Sequence, residues 1–80
     1  MNQIEKYISI NQEVRFGKPC ITKTRITVAD ILGWLASGMS YEEIMHDFPE
    51  IKYEHILAAL AFSAKREQAI KTVVYAKAAD

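Results

Sequence analysis

Residues 38–44, GMSYEEI, leave the backbone few paths. Gly38 suits the position just after a helix end, where a left-handed backbone is needed. Ser40 suits the cap of a new helix. Glu43, three residues on, completes an S-x-x-E box, and Met39 and Ile44 stand where the two ends of a hydrophobic staple meet. The cap alone contributes about 1 kcal/mol, a sizeable part of the ~5 kcal/mol available to a small domain. A turn specified this closely joins two helices at a fixed angle.

The flanking sequence supplies the helices. Thr27 can cap the first, with Asp30 three residues on, and Val28, Ile31, Leu32 and Leu35 recur at i, i+3, i+4 and i+7, one apolar face. Trp34 lies off the centre of that stripe, where an amphipathic ring covers a core edge. The second helix is short, because Pro49 forbids continuation and disfavours helix at Phe48. A third begins near Lys52, a poor cap, with Glu54 in its first turn as partial compensation. Eight of the nine residues from Ile56 to Ala64 are hydrophobic. At 100° per residue, Ile56, Leu57, Leu60 and Ala64 form the predicted core face, with Phe62 on the far side beside Ala58 and Lys65. Phe62 is then either a contact for another protein or a seat for the N-terminal strands.

The ends are less regular. Alternation around Ile8 and Ile10, and again around Ile21 and Ile26, predicts two short strands, paired as a hairpin or with a second copy of the chain. RFGKP between them is a loop: Gly17 permits unusual dihedrals and Pro19 restricts Lys18. Residues 1–68 read as one domain and 69–80 as a C-terminal extension with mixed propensities: a tail, a helix extension or a binding arm. Eighty residues bury roughly 60–65% of their unfolded surface, so a partner subunit would help.

Charge narrows the function. The chain is neutral overall, but residues 1–26 carry five basic groups against two acidic ones, residues 27–64 one against six, and residues 65–80 four against two. The third helix of a helix-turn-helix can enter a DNA major groove, and its start offers Lys52 and Tyr53. Glu54 and the acidic second helix oppose phosphate there, so Lys18, Lys23, Thr24 and Arg25 form the better phosphate surface. Arg25 can alternatively pair with a carboxylate of the acidic helices. Neither catalysis nor a cofactor is expected. His46, Asp47, His55 and Cys20 match no zinc spacing, and adjacent His46 and Asp47 are expected to point apart on their helix. Cys20 reads as a small buried hydrophobe in a reducing cytoplasm, and no stretch predicts a membrane span or signal peptide.

Taken together, GKPCITKTRITVADILGWLASGMSYEEIMHDFPEIKYEHILAALAFSA resembles domain-of-unknown-function family 433. Gly17, Pro19, Ile21, Thr24, Arg25, Ile26, Val28, Ile31, Leu35, Gly38, Ser40, Glu43, Ile44, Pro49, Ile56, Ala59 and Leu60 carry the match, which spans about residues 4 to 68. The resemblance implies a mainly α fold, a three-helix helix-turn-helix bundle of homeodomain-like or winged-helix-like type with a short N-terminal β-hairpin or strand pair. It also implies an antitoxin of a type II toxin–antitoxin pair, a homodimer that binds a PIN-like ribonuclease toxin and its own promoter DNA. Phe62, Lys65, Arg66, Val73, Val74 and Tyr75 would then meet the toxin, the apolar groups as anchors and the cations toward its acidic metal site. A protein-interaction adaptor that ignores DNA is the alternative. The chain departs from the family pattern twice, with Lys23 where Gly precedes Thr-Arg and Lys52 where Thr caps the third helix. A left-handed turn at Lys23 would be strained.

Overall fold

The computed structural model describes the backbone of residues 6–78 and the side chains of residues 6–67. Two strands, β1 (Ile8–Ser9) and β2 (Cys20–Ile21), pair antiparallel within the chain, Ile8 facing Ile21 and Ser9 facing Cys20. Three helices follow: α1 (Val28–Ala36), α2 (Tyr41–Asp47) and α3 (Tyr53–Ala78). The architecture is mainly helical, with the strand pair near the N-terminus. Among the described residues, no helix is long and apolar enough to cross a membrane.

Local chemistry sets the helix ends. Both capping boxes form in full: Thr27 with Asp30, and Ser40 with Glu43. At the close of α1 the Gly38 N–H donates to the Leu35 carbonyl at 3.0 Å and the Met39 N–H to the Trp34 carbonyl at 3.1 Å. With Gly38 at φ 101° this is a complete Schellman stop. Phe48 leaves the helical region (φ −128°, ψ 82°) just before Pro49. Trp34 stacks on Phe48, ring centroids 4.0 Å apart, and so ties α1 to the end of α2.

The core gathers Ile8, Ile21, Val28, Ile31, Ile44, Ile51, Ile56, Ala58 and Ala59. Here α3 is rotated from the expected face. Leu57 is 40% exposed, Ala64 is exposed, and Ala58 is buried. Phe62 is half-buried and packs against the core. From Ile56 to Ala64 the helix is apolar nearly all round, and its contacts with both α1 and α2 select a wide buried arc that periodicity does not mark. The α3 backbone passes residue 68 unbroken to Ala78, as a helix extension. Val73, Val74 and Tyr75 have side chains outside the described residues.

The start of α3 is better capped than Lys52 suggests. The Lys52 backbone N–H donates to His55 Nδ1 at 2.9 Å, the half of a capping box that position N3 supplies. His55 also meets the edge of Tyr7, centroids 5.1 Å apart. Burial lowers its pKa below the ordinary 6.5, Glu54 opposing and Lys52 assisting. As pH falls below 6.5, the unfolded chain takes up the proton before the folded one does. Stability contributed by neutral His55 is therefore whole above 6.5 and lost as pH falls through the lower folded value. Thermal melts between about pH 7.5 and about pH 5.5 should show this fall. The variant His55→Gln keeps an acceptor at N3 and should flatten that window.

Candidate interaction surface

The RFGKP loop has the most unusual backbone among the described residues. Arg15, Phe16 and Gly17 lie consecutively in the left-handed region, at φ 52°, 59° and 82°. Only the third is glycine, and each of the other two costs about 1–2 kcal/mol there. A Cβ on Gly17 would sit 3.1 Å from the Gln12 side chain. The turn is held from outside. Arg15 donates through Nη1 to the Arg25 carbonyl at 2.9 Å and to Asp30 Oδ2 at 3.3 Å. The same carboxylate oxygen accepts the Thr27 N–H at 3.1 Å, so one side chain caps α1 and anchors the loop. Strain of this kind persists where surroundings over-determine it.

The consequence is the placement of Phe16, whose ring is 90% exposed. It stands on the rim of a groove of about 430 Å³ between the loop, the first turns of α1 and the middle of α3. Pro19, Val28, Ala29 and Leu32 line one wall; Phe62, Ser63 and Arg66 line the other. Among the described residues Lys18 and Arg66 are the charged lining groups, and no carboxylate joins them. Arg66 lies over the Phe62 ring at 5.4 Å, which fixes both. The groove suits an apolar anchor carried next to negative charge.

The residues singled out in the sequence fall into three places. Lys18, from the phosphate set, joins Phe62 and Arg66, from the partner set, at this groove. Lys65, one residue before Arg66 on α3, is exposed and does not line it. Lys23, Thr24 and Arg25 form a separate tip, around a hollow shared with Ser9, Asn11, Val14 and Cys20. Thr24 is engaged there: its hydroxyl donates to the Ile21 carbonyl at 2.9 Å and accepts the Ile26 N–H at 3.0 Å. Lys52 and Tyr53 lie apart, with Tyr53 half-exposed beside Tyr41 at 5.8 Å between centroids.

Two sequence expectations change at these sites. Arg25 has no carboxylate partner among the described residues; Arg15 takes the strand-to-helix role. Arg15 and Phe16 carried no periodicity, since both lie in a loop; the one usable signal was an aromatic between basic residues beside a glycine. His46 and Asp47 do touch, Nδ1 to Oδ1 at 3.1 Å. They are the last residues of α2, where the free end lets neighbouring side chains converge, and both are exposed.

Lys23 has φ 68° and follows Thr22 in the turn closed by the Thr24 N–H on the Ile21 carbonyl at 3.0 Å. A type II turn demands positive φ at that place. Lys23→Gly should therefore raise the unfolding free energy by about 0.5–1 kcal/mol, the relief of strain exceeding the entropy of the freer unfolded chain. Urea denaturation of the two proteins checks this.

Comparisons with known proteins agree with the geometry. Residues 8–63 match the family described as Protein of unknown function (DUF433). No curated protein matches. The fold is similar to the crystal structure of a DUF433 member protein from Anabaena variabilis ATCC 29413, with a TM-score of 0.75 and 22% sequence identity over 92% of this chain and 73% of that one. The matched span takes in the left-handed loop, both capping boxes and, of the α3 groove wall, Phe62 and Ser63, and on that evidence the chain belongs to the DUF433 family.

Proposed function

We propose that this chain is an antitoxin-type binding module that performs no chemistry and neutralises a partner protein by occupying it. The partner is a PIN-like ribonuclease toxin, as the family resemblance implies, and the Phe16–Phe62 groove is the contact surface. One observation carries the reading: a phenyl ring left 90% exposed on a loop held in a costly conformation. Burying such a ring yields about 1.5–3 kcal/mol, which the free chain forgoes. Lys18 and Arg66 beside it match the carboxylate-rich surroundings of a PIN-like active site. Co-expression with the neighbouring reading frame tests this. The two products should purify together, and the chain should relieve the growth arrest that the neighbour causes alone. A chain that purifies alone and rescues nothing refutes the reading.

Operator binding is a second activity, favoured by Lys23 and Arg25, exposed cations with no ion-pair partner among the described residues. Binding to promoter DNA should fall steeply between low and moderate salt. Absence of binding at low salt leaves the protein-only adaptor.

A further inference from the structure

We propose that α3 pairs antiparallel with α3 of a second copy of the chain, through the face turned away from its own core. Tyr53, Leu57, Ala61 and Ala64 lie along that face. Tyr53 is 52% and Leu57 40% exposed, Ala61 and Ala64 are exposed, and Leu60 borders them half-buried. The spacing of four, four and three keeps them on one side of an α-helix. The two alanines let a second backbone approach, and Leu57 and Tyr53 supply the knobs.

Charge selects the occupant and its direction. Glu54 and Lys65 are eleven residues apart and therefore lie within about 20° of each other around the helix, on one flank of the stripe. Across a two-fold axis perpendicular to two antiparallel helices, like flanks meet. Placing Glu54 opposite Lys65 of the second copy fixes one register and forms the pair twice. The same register sets Leu57 against the second copy's Ala61 and Ala64 and brings the Leu60 residues together near the axis. A parallel pair, whose two-fold axis runs along the helices, would bring opposite flanks together and keep Glu54 away from Lys65. Neither Glu54 nor Lys65 forms an ion pair within the chain among the described residues. Phe62 and Arg66 lie roughly 140–180° around α3 from Leu57, so the dimer leaves two grooves open on its outer sides.

Sedimentation equilibrium of the full chain at tens of micromolar tests the pairing. The parent should be dimeric. Leu57→Glu should weaken association at least roughly tenfold, with far-UV circular dichroism unchanged because the side chain is exposed. Glu54→Lys and Lys65→Glu should each weaken it about fivefold, and the double variant should recover most of the loss. The charge variants touch no buried residue, so they decide the matter if Leu57→Glu does not fold. A monomeric parent, a dimer indifferent to Leu57→Glu, or additive losses in the double variant overturns the proposal. Partner capture by the monomeric variant is a separate readout and bears on the groove alone.

Discussion

Ile56→Ala should lower the unfolding free energy by about 3 kcal/mol, while Leu57→Ala, the next residue along, should change it by less than about 1 kcal/mol. Ile56 is fully enclosed in the cluster that joins both strands, α1 and α2 to α3. Truncating it removes three carbons from that cluster and leaves a void that a small domain cannot close. Leu57 keeps two-fifths of its surface in water and faces outward. The comparison belongs at dilution, where self-association adds nothing to either value. With about 4–8 °C of Tm per kcal/mol for a chain of this size, the first variant should melt roughly 12–24 °C lower. Urea midpoints should shift in proportion with the slope unchanged. Equal losses at the two sites would mean that α3 is turned differently, and the groove and the dimer face would both move with it.

That rotation marks a limit of what the sequence conveys. The elbow was legible because its signals are local: Ser40 needs Glu43 three residues later and Gly38 needs positive φ, whatever else the chain does. The Thr27–Asp30 box was legible for the same reason. From Ile56 to Ala64 the sequence is apolar almost throughout, so its angular preference is weak and the packing neighbours choose the face. Lys52 looked like a missing cap because the acceptor comes from His55, a residue type seldom weighed for that place. Lys23 was legible only against a family pattern with glycine there, and its φ of 68° supplies the physical reason for that glycine. Arg15 was obscured because Asp30, already assigned to a cap, had a second oxygen-bound partner that only tertiary approach could reveal. The groove followed from these unread contacts: Phe62 and Arg66 were named as contacts for a partner, and Phe16 was not named at all.

Phe16 separates binding from folding more sharply than any other residue. Phe16→Ala should leave stability within about 0.5 kcal/mol, because a side chain with nine-tenths of its surface in water has little packing to lose. Capture of the partner should weaken by roughly 30-fold or more, the cost of losing an aromatic anchor worth about 2 kcal/mol at an interface. Phe16→Gly extends the argument. Glycine takes φ 59° without steric cost, so that variant should be more stable than the parent by up to about 1 kcal/mol and still fail to bind. A gain in stability coupled to a loss of capture is the signature of a residue kept under strain for contact with another protein. Titration calorimetry with the co-purifying partner and urea melts of the free chain measure the two quantities independently. Undiminished capture by both variants would remove Phe16 from the interface and leave its exposure and its strained backbone without a use.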